Sequence, residues 1–126
     1  LLSRRVYSIE RIKALLVNAQ SCFKKLKLTN IISEFGDGFL GWPKLAPFDH
    51  MIITCAVKKI DNRLLNQIRV NGSCVVPIGK TITQQRLKKI IIGNDRNEDV
   101  WEDLGKVSFV PLITEKDWII FNFLKH

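Results

Sequence analysis

One stretch limits the possible folds more than any other. Arg5-Val6-Tyr7-Ser8-Ile9 has the β-branched and aromatic make-up of a short strand, ending at Glu10. From about Arg11 to Leu28, the residues Ile12, Leu15, Leu16, Ala19, Phe23 and Leu26 recur at helical spacing. Lys13, Lys24, Lys25 and Lys27 fall mostly off that stripe. Asn30 to Phe35 is again short, β-branched and bounded by Asn and Gly, as a strand would be. Two strands separated by a whole helix cannot close as a hairpin; the connection is a crossover, and its strands run parallel.

The remaining chain continues the rhythm. Met51 to Val57 is an apolar run of a length suited to a strand buried on both faces. Asn62 to Ile68 predicts a short helical turn, Asn71-Gly72 a break, and Ser73 to Ile78 another strand. Arg86 to Ile92 and Lys106 to Leu112 predict two strands joined by the polar hairpin Gly93 to Asn97. The tail from Trp118 to Leu124 is apolar and should pack on something. The class is α/β, a mostly parallel sheet followed by an antiparallel pair, in a single domain over 1–126.

Bulk properties narrow the function. No apolar run reaches membrane-spanning length, and Leu1-Leu2-Ser3-Arg4-Arg5 lacks the layout of a signal peptide. Cys22, Cys55 and Cys74 are odd in number, without C-x-x-C spacing, which points to reduced thiols in a cytoplasmic protein. With only His50 and His126 beside them, a metal site is not expected. The net charge of +8 raises the question of nucleic acid. Along the chain, however, the cations are scattered and not interleaved with aromatics, which argues against a nucleic-acid partner.

Gly36-Asp37-Gly38-Phe39-Leu40-Gly41 satisfies G-x-G-x-x-G, the spacing of a phosphate-cradling turn. That turn must open a helix, whose N-terminus receives the phosphate. Here Trp42-Pro43 follows at once and Pro47 soon after, so no helix can develop. What remains is a tight glycine loop at the carboxyl end of a strand, where open α/β sheets bind ligands. Glu10 closes a strand and opens a helix. It could accept hydrogen bonds from a ribose, or merely favour the helix dipole as a first-turn acid. Position alone leaves both open.

"RVYSIERIKALLVNAQSCFKKLKLTNI", "GDGFLGWPKLAPFDHMIIT", "LLNQIRVNGSCVVPIG" and "VSFVPL" occur in that order. Together they resemble the protein-L-isoaspartate O-methyltransferase family, from about Arg4 to Leu112, over the later two-thirds of the family's pattern. The resemblance implies a Rossmann-like sheet and S-adenosylmethionine as cofactor. The substrates would be isoaspartyl-containing peptides and proteins. Glu10, with Arg11 beside it, would meet the ribose; Asp37 and Gly38 would meet the adenine. Thr54, Cys55 and Ala56 would lie near the methyl-transfer centre, with Cys55 a small apolar filler. Thr114 and Trp118 resemble a C-terminal lid over the cofactor. Val57-Lys58-Lys59-Ile60-Asp61 lacks the family's proline-rich connection, and Val70-Asn71-Gly72 stands where Pro-Gly-Gly is usual.

The family's first strand and glycine-rich cofactor loop have no counterpart in this sequence. In the family that strand runs mid-sheet, between the strand ending at Glu10 and the strand from Met51. Without it, the two neighbours should leave a gap, pair in an improvised way, or self-associate through open edges. Two other functional classes also stand: a noncatalytic remnant of such an enzyme, and a basic nucleic-acid-binding or nucleic-acid-modifying domain of the same fold.

Overall fold

The structure, a computed structural model, describes residues 3–110 and 120–125. The first strand, β1 (Arg5–Glu10), leads into helix α1 (Lys13–Lys25) and then β2 (Ile31–Phe35). β1 and β2 pair in parallel from Val6 opposite Ile31 to Glu10 opposite Phe35. α1 is shorter than its apolar stripe suggests. Lys27 takes φ 54°, and the Leu28 amide donates to the Phe23 carbonyl at 2.9 Å, which closes the helix in a left-handed cap.

Two short 3-10 turns (Gly38–Leu40 and Pro43–Leu45) follow, as the prolines require, then β3 (Phe48–Ile53). This strand starts and ends earlier than the apolar run. Beyond Ile53 the chain leaves the ladder, and Val57 instead makes a single bridge to Ile78. Helix α2 (Asn62–Leu65) precedes β4 (Ile68–Ile78), which runs straight through the expected break at Asn71-Gly72. Asn71 absorbs the irregularity at φ 63°, and the pairing with β3 shifts there. Gly72 is required, because a Cβ would run into the Asp49 carbonyl.

β5 (Gln85–Ile91) and β6 (Val100–Val107) form the expected antiparallel hairpin pair. The second partner lies earlier than Lys106–Leu112, because the turn after β5 is short and brings Val100 opposite Ile91. Its outward Glu102 and Asp103 disguise it as loop.

The last strand, β7 (Ile120–Lys125), is the largest departure. The sheet has seven strands in the order β2-β1-β7-β3-β4-β5-β6, so the end of the described chain lies in its middle. β7 runs antiparallel to both neighbours, Arg5 opposite Lys125 on one side and Met51 opposite Phe123 on the other. The sheet is therefore less parallel than expected: β1–β2 and β3–β4 are parallel, the other pairings antiparallel. The expected improvised pairing takes this form, and among the described residues both strand edges beside the slot are occupied.

The core lies on one face of the sheet. Phe48, Met51, Ile53, Cys74, Val76, Ile90 and Phe123 are fully buried there, with Leu64 and Leu65 of α2 packed on them. Tyr7 meets Trp42 and Phe48 edge-on, with centroids 5.9 and 5.8 Å apart. α1 lies against β1 and β2 on the other face, where Gln20 donates to Ser33 at 3.1 Å.

Candidate functional site

The carboxyl ends of β1 and β2 are tied together. The Gly36 amide donates to the Glu10 carbonyl at 3.1 Å, so Glu10 and the glycine loop sit side by side. Glu10 is only 4 % exposed. Its carboxylate accepts from the Ile12 amide at 2.8 Å, serving an orphan donor at the start of α1, where Ile12 itself offers no side-chain cap. Arg11 follows, half-exposed.

Asp37 is exposed, and its Oδ1 accepts from the Phe39 amide at 3.0 Å, an Asx turn that starts the first 3-10 turn. Gly38 is buried directly beside it. Gly41 closes the turn at φ 63°, in the left-handed region. One residue that the sequence reading missed anchors this loop from below. Gln67, after α2, accepts from the Trp42 amide at 2.8 Å and donates to the Leu40 carbonyl at 3.0 Å. A Cβ on Gly41 would collide with the Gln67 amide. The available signal was a glutamine next to Ile68 and close after Leu64-Leu65, a polar group on the buried side of its segment.

A cleft of 930 Å³ opens beside the loop, with Ile9, Phe35, Leu40 and Trp42 as apolar walls and Gly36 and Asp37 at its rim. Its size and mixed lining suit a ligand of nucleoside size.

Thr54, Cys55 and Ala56 follow β3 at the same edge. Thr54 is exposed; Cys55 and Ala56 are buried, and the Ala56 amide donates to the Val110 carbonyl at 3.0 Å. Burial pushes the Cys55 thiol up to about 11, so it stays protonated at neutral pH and is no nucleophile there. The β3 end does not adjoin the β1 end. Ile120 pairs with Glu10 and Phe121 with Ile53, so the backbone of β7 stands between them. Thr114 and Trp118 lie outside the described residues. Among the described residues, no group of three or more His, Cys, Asp or Glu could hold a metal ion. No helix of the structure is long and apolar enough to cross a membrane.

A sheet with parallel strands, a ligand-sized cleft at their carboxyl ends and an acid closing β1 has the layout of Rossmann-like methyltransferases. Two solved structures have this fold. A protein-L-isoaspartate O-methyltransferase superposes with a TM-score of 0.75 at 21 % identity, over 85 % of this chain and 33 % of that one. A protein-L-isoaspartate O-methyltransferase from Plasmodium falciparum, in complex with S-adenosyl-L-homocysteine, gives 0.69 at 22 %, over 85 % of this chain and 51 % of that one. The family description protein-L-isoaspartate(D-aspartate) O-methyltransferase matches residues 2–117, and the chain belongs to that family. A relative of that name from Caulobacter sp. (strain K31) is 40 % identical over 111 residues, 88 % of this chain and 50 % of its own length. The chain thus spans about half the length of the curated relatives it matches.

Proposed function

We propose that this chain forms the nucleoside-binding part of an enzyme that methylates the free carboxylate of L-isoaspartyl residues in damaged proteins, with S-adenosylmethionine as donor. The observation that carries the proposal is the joined pair of strand ends: Gly36 and Asp37 line the apolar-walled cleft, and the Gly36–Glu10 hydrogen bond holds Glu10 next to them. In this reading Glu10 accepts from the ribose, with Arg11 flanking it, and Asp37 accepts from the exocyclic amine of adenine. Gly38 lets the ring approach the backbone. The turn-stabilising bonds of both acids do not exclude these roles, because each of those bonds engages one carboxyl oxygen and leaves the other.

The residues present fit the nucleoside end of the cofactor. The described residues offer no cradle for its methionine end, since β7 stands between β1 and β3. When bound, S-adenosylmethionine supplies an electrophilic methyl group. The attacking substrate carboxylate is already ionised at neutral pH (its pKa is about 4), so no general base is needed, and the poverty in histidine is consistent with that. Thr54 and Ala56 would border the incoming carboxylate, and the protein's contribution would be alignment and exclusion of water. A cytoplasmic location suits such a repair role and the free thiols.

Titration of the chain with S-adenosyl-L-homocysteine, followed by backbone NMR, tests this. Shifts gathered on Glu10, Gly36, Asp37 and Gly38 are expected; shifts elsewhere, or none at millimolar ligand, overturn it. One observation favours a second reading, a noncatalytic member of the family: the slot filled by β7. Methyl incorporation into an isoaspartyl peptide by the chain alone would eliminate that reading.

A further inference from the structure

The cations that look scattered along the sequence gather in the fold. Residues 1–33 carry seven Lys and Arg against one acid, Glu10, whereas residues 34–126 carry thirteen against eleven. The lone acid is buried and turned onto α1 at the far end of β1. The ion pairs found among the described residues engage Arg63, Arg69, Arg86, Lys88, Lys89 and Arg96 with acids later in the chain. None of these pairs involves Arg4, Arg5, Lys24 or Lys27.

Arg4, Arg5, Lys24 and Lys27 meet at one corner, where the end of α1 turns into β2 beside the start of β1. The Asn30 carbonyl accepts from Val6 at 2.9 Å, and the Asn30 side chain donates to the Ser3 carbonyl at 3.1 Å, which fixes Arg4 and Arg5 against the turn. Two adjoining depressions share Thr29 and Ile32. One, of 280 Å³, is bordered by Arg4 and Arg5. The other, of 610 Å³, has Lys24 and Lys27 at its border and Phe23, Leu28 and Ile31 in its lining. Among the described residues, no acid lines either. Asn30 lines the smaller of the two.

We propose that this corner binds single-stranded nucleic acid. An apolar, ring-bearing hollow rimmed by lysines fits a base with its flanking phosphates, and the arginines continue the track for the backbone. A lipid surface would satisfy the charge but would leave the hollow unused. The corner lies at the opposite end of β1 and β2 from the cleft at Asp37, so the proposal is independent of the methyltransfer reading.

Fluorescence anisotropy of a labelled RNA strand of ~12 nucleotides with the whole chain is the test. With four phosphate contacts, log affinity should fall against log salt with a slope of about −3, roughly fiftyfold for a fourfold rise in salt. Arg4→Glu with Arg5→Glu, and separately Lys24→Glu with Lys27→Glu, should each weaken binding at least about tenfold. Lys80→Glu with Lys106→Glu, the same charge change elsewhere, should leave more than half the affinity. Phe23→Leu should weaken RNA binding but not heparin binding. All variants are checked by circular dichroism, and the charge variants sit at exposed positions. The proposal is overturned by a flat salt dependence, by equal losses in the control pair, by an unaffected Phe23→Leu, or by binding to anionic lipid vesicles only.

Discussion

The rings of Phe48 and Phe123 lie 4.7 Å apart between centroids, with planes inclined at 35°. Both side chains are fully buried. This contact ties the last described strand to the first residue of β3, and the Lys125 ammonium lies over the Phe48 ring 5.6 Å from its centroid. Phe123→Ala should therefore cost about 3–5 kcal/mol of stability, a large part of what a domain this size possesses. Urea denaturation measures it. A loss under about 1 kcal/mol would mean that β7 is not held in the core.

Gln67→Leu removes the anchor of the glycine loop while keeping much of the volume. The Trp42 amide and Leu40 carbonyl lose their partner. The expected cost is about 1–3 kcal/mol, with faster hydrogen exchange at the Trp42 amide and little change within β4. Unchanged exchange at Trp42 would contradict the anchoring role.

Glu10→Ala and Asp37→Ala should each weaken S-adenosyl-L-homocysteine binding several-fold, on the order of 1 kcal/mol for a lost hydrogen bond to a neutral partner. Calorimetry should also show the parent chain binding more weakly than micromolar, because the methionine end lacks its cradle. Tight binding, or no effect from either substitution, contradicts the site assignment.

Acid should weaken the outer sheet. Asp103 on β6 accepts from Arg86 and Lys88 of β5, and these bonds, Arg86 first, hold its carboxyl well below the ordinary carboxylate value. A depressed carboxylate stabilises above its unfolded value of 3.8, and that contribution drains away as pH falls further. Asp103→Asn should lower stability at neutral pH and flatten its decline below pH 4 (about the unfolded carboxylate value). Parallel pH profiles for the two chains would count against the pairing.

Thiols supply the alkaline counterpart. Burial raises Cys55 to about 11 and Cys74 to about 12, from an ordinary 9.0. The unfolded thiols ionise first, so stability from these groups is full below pH 9 and is lost as pH climbs through the folded values. A disulfide-exchange reagent should modify exposed Cys22 at once and the two buried thiols only on unfolding. Three fast thiols would contradict the core packing.

Local structure was legible where it rests on neighbours in sequence. β1, α1 and β2 follow from period and punctuation, and Pro43 rules out a helix after the glycines. Asp37 stabilises its turn as any Asx residue can. What could not be read depends on distant partners. β7 was an apolar tail with an unknown destination, because Ile120 to Lys125 contains no signal naming Tyr7 or Met51 as its neighbours. β6 hid because its outward positions carry Trp101, Glu102 and Asp103 without alternation. Gln67 was visible only as a polar residue on an apolar side, and the basic corner only once the turn at Lys27 brought the helix end beside Arg4 and Arg5.

Arg5 opposite Lys125 also sets an order of events. The centre of this sheet joins β1 to β7, and 120 positions separate those partners. β1 and β2 can pair through their local crossover as soon as both emerge from the ribosome, and the β4–β5–β6 meander can assemble by itself. Until β7 pairs between them, β1 and β3 share no ladder, and the two halves meet through Tyr7 against Trp42 and Phe48. Closure of so long a loop is slow, and the waiting halves expose apolar margins in the meantime. Assembly of this sheet should therefore be limited by the docking of β7 between β1 and β3.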